Sequence, residues 1–121
     1  MAKILVVDDS AFMRKILVGV LAKAGYTDIA EASDGEMAVA SYKSQKPDLV
    51  LLDVVMAPKD GLYALKEIRA KSSSAKVIMV TAVGQEAMIA DAKKLGCSEY
   101  VVKPFKEEQV IAAVKAALGK K

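Results

Sequence analysis

The sequence predicts an α/β fold, a doubly wound sheet of five parallel strands with five flanking helices. Two observations favour this fold: short aliphatic runs alternate with longer segments of helical periodicity, and the runs are hydrophobic throughout, as at residues 49–52. Strands of that kind are buried on both faces, and helical segments between them favour parallel crossovers. A length of 121 residues is typical of one domain, so we expect residues 1–121 to form a single domain.

The first half of the chain carries three of the predicted strands and two of the helices. Residues 4–7 predict the first strand, and Gly25 lies where the end of the following helix favours a left-handed residue. After a short second strand, a helix begins near Asp34 and stops at Pro47, before the most apolar strand at residues 49–52. The apolar residues that define one face of the first helix are Phe12, Ile16, Leu17, Val20 and Leu21.

The second half of the chain repeats the alternation. Asp60 is placed to cap the third helix, and the fourth strand is predicted at residues 77–80. The fourth helix is predicted from about Gln85 to Leu95 and ends at Gly96. A fifth strand at residues 100–102 precedes the last helix. The apolar residues at helical spacing are Leu62, Leu65 and Ile68 in the third helix, and Val110, Ile111, Val114 and Leu118 in the fifth.

The composition excludes several classes of protein. With 54% hydrophobic and 27% charged residues, the chain can bury a sizeable core and does not have the composition of a disordered protein. A single cysteine, Cys97, cannot form an internal disulfide. Because the sequence has no histidine, it has neither a zinc site of cysteine and histidine nor a histidine base, and it cannot itself be a phosphohistidine donor.

Charge and hydropathy also limit the partners. The 18 basic residues are scattered among 15 acidic ones and aromatic residues are few, so we expect no nucleic-acid binding. The longest unbroken apolar runs span only a few residues, and no targeting segment precedes the first strand. We therefore expect no membrane insertion and a cytoplasmic location.

Polar residues end four of the predicted strands. Asp8 and Asp9 follow the first strand, Asp53 the third, Thr81 the fourth and Lys103 the fifth. Each taken singly has a simpler explanation as a helix cap, a turn residue or a surface charge. In open parallel sheets, however, ligands bind beyond the carboxyl ends of the strands. Because these residues share that edge, we interpret them as one site.

The chemistry of this set is charge compensation. Three neighbouring carboxylates repel one another and call for a cation, and Mg²⁺ suits a site that offers carboxylates and is to receive phosphate oxygens. Lys103 adds a positive charge that can pair with phosphate, and the hydroxyl of Thr81 can donate to a phosphoryl oxygen. Phosphorylating Asp53 would replace one negative charge with about two, which these cations can balance.

Four motifs span the chain in order. They are Val6-Val7-Asp8-Asp9-Ser10-Ala11-Phe12-Met13-Arg14, Asp53-Val54-Val55-Met56 with Asp60-Gly61 beyond it, Thr81-Ala82, and Lys103-Pro104-Phe105. Together they resemble the receiver domains of two-component response regulators, in particular the stand-alone regulators of chemotaxis. The resemblance implies one receiver domain with the flavodoxin-like strand order 2-1-3-4-5.

The resemblance also implies a role for each site residue. Asp53 is the implied phosphorylated residue, and Asp53, Thr81 and Lys103 are the implied catalytic residues. Thr81 and Tyr100 are the implied switch residues, and the bond between Lys103 and Pro104 is expected to be cis. The implied ligands of Mg²⁺ are Asp8, Asp9, Asp53 and the backbone carbonyl of Val55.

The partners follow from the same resemblance. A sensor histidine kinase of the chemotaxis type would donate the phosphoryl group. Because we expect no attached effector domain, the signal would pass to a protein target such as a flagellar motor switch or an adaptor. We expect a monomeric signalling protein that catalyses only its own phosphorylation and dephosphorylation, with its readout face on the fourth helix, fifth strand and fifth helix.

The sequence departs from the family pattern after the third strand and after the fourth strand. Family members commonly have proline directly after the methionine, whereas here Ala57 separates Met56 from Pro58. Val55 and Val83 are apolar at positions where many relatives carry polar or acidic side chains. The displaced proline predicts that the loop after Asp53 is shaped or ordered differently from that of typical relatives. The apolar Val55 and Val83 predict that a phosphate on Asp53 lives longer than in relatives with polar residues there.

Three other functions can be compared with this interpretation. A phosphatase with an aspartyl nucleophile would need a second acid two residues after Asp53, where Val55 stands. An electron carrier of related fold would need a phosphate loop rich in hydroxyl groups and glycine in place of Asp8 and Asp9. A phosphorelay intermediate that passes phosphate to a histidine phosphotransferase is the alternative function that the sequence leaves open.

Overall fold

The computed structural model describes residues 2–54, 61–72, 74–82, 84 and 86–119. Along these residues, strands and helices alternate strictly, as the sequence predicts. The strands are β1 (Lys3–Val7), β2 (Asp28–Ala32), β3 (Leu49–Leu52), β4 (Val77–Thr81) and β5 (Glu99–Val102). The helices are α1 (Ala11–Lys23), α2 (Gly35–Gln45), α3 (Gly61–Lys71), α4 (Glu86–Lys94) and α5 (Glu107–Gly119).

The five strands form one parallel sheet in the order β2-β1-β3-β4-β5, which confirms the predicted fold class and strand order. β1, β3 and β4 lie at the centre, where helices cover both faces of the sheet. That position explains their unbroken runs of aliphatic residues, since a side chain on either face is buried. The carboxyl ends of these strands consequently meet at one edge.

Two core layers lie on the two faces of the sheet, and alternate residues of each strand enter different layers. In β1, Ile4 and Val6 pack with α1 and α5, whereas Leu5 and Val7 pack with α2, α3 and α4. All four residues are buried. The helices therefore divide into two on one face and three on the other, which is the doubly wound arrangement.

Capping residues and left-handed residues define the ends of the first two helices. Ser10 caps α1, and its hydroxyl accepts a hydrogen bond from the N–H three residues on, so Asp9 is not the cap and its carboxylate is not used in that way. Asp34 caps α2, close to the predicted start of that helix. Gly25 is left-handed with φ 95°, also as predicted, while Lys46 adopts φ 48° and ends α2 just before the following proline.

The boundaries of the later elements differ slightly from the sequence-based limits. β4 extends to Thr81 because Thr81 pairs with Val102 in β5 and its carbonyl accepts from the N–H of Lys103 at 2.8 Å. Pairing with β4 likewise brings Glu99 into β5. The predicted cap residue Asp60 lies outside the described residues. Among the described residues, no helix combines the length and the apolar character needed to cross a membrane.

Candidate functional site

The carboxyl edge of the sheet collects the buried polar side chains of the described part of the chain. Those side chains belong to Asp8, Asp53 and Thr81, which follow or end the three central strands. Asp9 is exposed beside them, and carboxylate oxygens of Asp8, Asp9 and Asp53 lie within 4.8 Å of one another. Burying polar groups is costly unless they are paired, so their concentration at one edge marks this region as the candidate site.

Asp8 is held through each of its polar groups. Its backbone N–H donates to the carbonyl of Ala32 at 3.2 Å, and its carbonyl accepts from the guanidinium of Arg14 at 2.6 Å. One carboxylate oxygen accepts from the N–H of Ser10 at 2.9 Å, and the other accepts from the ammonium of Lys103 at 2.6 Å. This carboxylate is therefore fixed in place by the surrounding protein.

Lys103 reaches the site from the end of β5. Its Nζ lies 2.6 Å from Asp8 Oδ2 and 3.2 Å from Asp53 Oδ2, so one ammonium pairs with both carboxylates. Burial alone lowers the pKa of Lys103, but the hydrogen bond to Asp8 and the charges of Asp53 and Asp8 outweigh it, and the pKa is raised. The lysine is thus positively charged at neutral pH. The bond between Lys103 and Pro104 is cis, as expected from the sequence.

The charges of the site suit a divalent cation. Three carboxylates against the one ammonium of Lys103 leave a net charge of −2 at the cluster. Asp8 and Asp53 are buried, while Asp9 is exposed and leaves its carboxylate accessible from solvent. Hard oxygen ligands with an accessible side are what Mg²⁺ needs, since it keeps several waters when bound. The residues present therefore fit the expected metal.

Asp53 is positioned by the backbone on both sides. Its N–H donates to the carbonyl of Val7 in β1 at 3.1 Å, which continues the sheet beyond β3. Gly61, at the start of α3, donates its N–H to the carbonyl of Val54 at 2.9 Å. A Cβ on Gly61 would overlap the carbonyl oxygen of Asp53 and lie 2.7 Å from its carbonyl carbon. Only glycine allows α3 to begin so close to the proposed acceptor.

Thr81 and Tyr100 lie on neighbouring strands. Thr81 is fully buried at the end of β4, between the strands that carry Asp53 and Lys103. Tyr100 in β5 is partly buried against the core layer that contains Met79. Burial, followed by the charges of Cys97 and Asp53, raises the pKa of the Tyr100 phenol.

Some residues singled out in the sequence lie outside the described residues. These are Val55, whose carbonyl is the fourth implied metal ligand, and the departures from the family pattern at Ala57, Pro58 and Val83. Their roles stay predictions. The other predicted site residues are described, and all but Tyr100 lie at the carboxyl edge of the sheet.

Two residues contribute to the site in ways that the motifs did not indicate. In the sequence Arg14 is only the last residue of the first motif, whereas in the structure its guanidinium contacts Asp8 and Glu31. Gly61 was recognised only as part of an Asp-Gly pair, yet it is the point where α3 approaches Asp53. A glycine just after the loop that follows β3 is a sequence signal of close backbone approach. The partners of Arg14 lie in other elements, so they depend on the tertiary fold.

The sequence matches the family of response regulator receiver domains over residues 4–115. It is 43% identical over 117 residues to the chemotaxis protein CheY of Bacillus subtilis strain 168. This alignment covers 97% of this chain and 98% of that protein. It is 43% identical over 112 residues to the chemotaxis protein CheY of Thermotoga maritima, which covers 93% of each chain.

The fold is also similar to a solved structure of a receiver in a complex. The crystal structure of the CheX-CheY-BeF3-Mg²⁺ complex from Borrelia burgdorferi matches with a TM-score of 0.94. The sequence identity is 35%, and the match covers 98% of this chain and 90% of that chain. Agreement in sequence and in fold over nearly full lengths identifies the family independently of the site geometry.

Proposed function

Because this chain belongs to the family of response regulator receiver domains, we propose that it accepts a phosphoryl group on Asp53 from the phosphohistidine of a sensor histidine kinase, with Mg²⁺. The observation that carries the proposal is the shared ammonium of Lys103, which pairs with Asp8 and Asp53 inside a cluster of three carboxylates. A purely structural ion pair has no need of a third carboxylate. The excess negative charge favours a site built to receive a cation and a phosphoryl group.

The proposed step is a displacement at phosphorus. A carboxylate oxygen of Asp53 forms a bond to the phosphorus atom, and the bond from phosphorus to the donor imidazole nitrogen breaks. The imidazole keeps the electron pair and takes up a proton, while Asp53 becomes an acyl phosphate. Asp53 suits this role because it lies at a buried strand end, its backbone N–H is held by Val7 of β1, and one carboxylate oxygen is held by Lys103.

Charge compensation by the protein would come mainly from Lys103, whose ammonium lies 3.2 Å from Asp53 Oδ2. It would pair with an oxygen of the phosphoryl group once Asp53 is phosphorylated. Asp8, Asp9, Asp53 and the carbonyl of Val55 would hold Mg²⁺. When bound, Mg²⁺ would add positive charge beside the phosphoryl oxygens. Asp8 is fixed before any ligand arrives, so it contributes a preorganised ligand.

Thr81 and Tyr100 are the residues proposed to transmit the change. The hydroxyl of Thr81 can donate to a phosphoryl oxygen on Asp53, since β3 and β4 are adjacent and Thr81 ends its strand at the same edge. Tyr100 lies on the next strand, β5, which pairs with β4. Phosphorylation thereby shifts an equilibrium between two arrangements of β4, β5 and the neighbouring helices.

The signal is proposed to pass to a protein partner in chemotaxis, such as a flagellar motor switch or an adaptor. This rests on the likeness to chemotaxis proteins over almost their whole lengths. The protein would act in the cytoplasm as a monomeric single receiver domain and would catalyse only its own phosphorylation and dephosphorylation.

Phosphorylation by acetyl phosphate, followed by intact-protein mass spectrometry, tests the acceptor. With Mg²⁺, we expect the wild-type chain to gain one phosphoryl group and Asp53→Asn to gain none, because the amide lacks the nucleophilic carboxylate. The matched control is Asp28→Asn, which changes an exposed aspartate at the start of β2 and should behave as wild type. Equal incorporation by wild type and Asp53→Asn would contradict the proposal.

The role of the phosphorylated form is tested by offering it two partners. A purified histidine phosphotransferase domain should gain little phosphate from it, whereas a motor-switch protein should bind it more tightly than the unphosphorylated chain. Rapid and complete transfer to the phosphotransferase would instead establish the phosphorelay function.

A further inference from the structure

Arg14 in α1 joins the end of β1 to β2, and the proposed phosphoryl chemistry makes no use of it. Its side chain is only 18% exposed. Its Nη1 donates to the backbone carbonyl of Asp8 at 2.6 Å, and its Nε donates to the carboxylate of Glu31 at 3.0 Å. We infer that Arg14, anchored by Glu31, is a positioning residue that sets the Asp8–Asp9 turn for divalent-cation binding. The inference rests on the proposed function.

The contact with the Asp8 carbonyl acts on both acidic residues. A peptide group is planar, so the carbonyl oxygen of Asp8 lies in one rigid plane with the Cα atoms of Asp8 and Asp9. Holding that oxygen therefore fixes the direction in which the chain leaves Asp8 and enters Asp9. The N–H of Ser10 binds the Asp8 carboxylate just beyond, so the turn is tied at both ends.

The anchor of Arg14 lies in a different element. Glu31 is in β2, where it pairs in register with Val6 of β1, and its side chain is half exposed. An exposed ion pair of this kind contributes little to stability by itself. Its value here is geometric, because it fixes one edge of the guanidinium plane and thereby directs Nη1 at the Asp8 carbonyl.

The two contacts require arginine. A guanidinium presents several N–H groups in one rigid plane, so it can donate to Glu31 and to the Asp8 carbonyl at the same time. A lysine at this position would bring the same charge on a single nitrogen without the planar fork. Arg14→Lys consequently separates the geometry of the side chain from its charge.

Charge and positioning predict opposite effects on cation binding. If Arg14 acted through its charge alone, removing a positive group near the site would strengthen the binding of Mg²⁺. If Arg14 positions the turn, its removal would weaken binding although the local charge becomes more favourable. Lys15→Ala is the matched control, since it removes the same charge from the adjacent exposed position.

The experiment is a calorimetric titration of the full chain with MgCl₂, with thermal unfolding of each variant followed by circular dichroism. We expect Arg14→Ala to weaken Mg²⁺ binding on the order of tenfold, the low end for residues that orient metal ligands. Glu31→Gln and Arg14→Lys should weaken it by less. Lys15→Ala should bind Mg²⁺ as tightly as wild type or slightly more tightly.

A second measurement separates positioning from general destabilisation. In phosphorylation by acetyl phosphate, the Mg²⁺ concentration that gives half the maximal rate should rise in Arg14→Ala. The rate at saturating Mg²⁺ should return close to the wild-type value, because Asp53 and Lys103 are unchanged. A variant that was merely less folded would show a lower maximal rate with an unchanged Mg²⁺ requirement, and that result would overturn the inference.

A folded Arg14→Ala variant that binds Mg²⁺ as tightly as wild type, or more tightly, overturns the inference but not the proposed function. If Arg14→Ala does not fold, Arg14→Lys and Glu31→Gln decide, and wild-type affinity in both overturns it. A wild-type chain that binds no Mg²⁺ and accepts no phosphoryl group overturns the proposed function as well. The two failures are therefore distinguishable.

Discussion

Two regions of this protein differ in how deeply they are packed. The acceptor region, formed by β1 and β3, contains strands in which every residue but Lys3 is buried. The part of the proposed readout face formed by α4 and β5, called the readout region below, has Ala92 as the buried residue of the helix and Val101 as the buried residue of the strand. The third element of that face, α5, is packed more deeply, with four buried residues. Segments with few buried contacts open at lower free energy. The proposed acceptor thus lies on the more rigid part, beside a part that can rearrange.

Lys103 connects the two regions. It follows β5, in the readout region, but its ammonium lies against Asp8 and Asp53 of the acceptor region. A change of charge at Asp53 therefore acts directly on the chain that leaves β5.

The packing difference is tested most strongly by paired truncations in one core layer. Leu5 in β1 is fully buried and Met88 in α4 is partly buried, and both belong to the layer on the same face of the sheet. We expect Leu5→Ala to lower the free energy of unfolding by about 3 kcal/mol and Met88→Ala by about 1 kcal/mol. The second loss is smaller because the Met88 side chain is only partly buried, so its truncation removes less buried contact. Urea unfolding followed by circular dichroism measures both. Equal losses would show that the two regions are packed alike.

A somewhat smaller effect is expected when the connection between the regions is cut. Lys103→Met keeps an apolar stem but removes the ammonium that faces Asp8 and Asp53. We expect phosphorylation by acetyl phosphate to slow on the order of a hundredfold, about 2.7 kcal/mol in activation free energy, as when a preorganised charge donor is lost. Lys106→Met, at an exposed lysine of the same loop, is the control and should keep the wild-type rate. A wild-type rate of phosphorylation in both variants would show that Lys103 takes no part in phosphoryl transfer.

The smallest of the three effects concerns the approach of α3 to the acceptor region. Gly61→Ala places a Cβ against the backbone of Asp53 and Val54, which cannot move aside as a side chain could. We expect a loss of about 2 kcal/mol in the free energy of unfolding, typical of overpacking. Gly19→Ala in α1 is the matched control, since nothing lies within 4 Å of its added Cβ. It should stabilise the protein by about 0.5–1 kcal/mol, and a similar gain for Gly61→Ala would refute the close approach.

Much of this architecture was predictable because it follows from local patterns. Residues 49–52 are apolar throughout, which indicates a strand buried on both faces, and the structure confirms this. Gly25 and Asp34 mark helix ends that the structure also confirms. The sharing of one edge by Asp8, Asp53 and Lys103 followed from parallel strands. The cap of α1 was less certain, since Asp9 and Ser10 are both good capping residues and only the backbone conformation selects Ser10.

The sequence by itself determined the class of fold, the order of its elements and the set of polar residues at the strand ends, because periodicity and strand termination are local properties of the chain. Tertiary structure alone decided that one ammonium serves both Asp8 and Asp53, that Arg14 meets the Asp8 carbonyl, and that Gly61 lies against Asp53. These contacts join residues from different elements. They depend on strand register and helix placement, which the packing of the whole core sets and no single segment encodes.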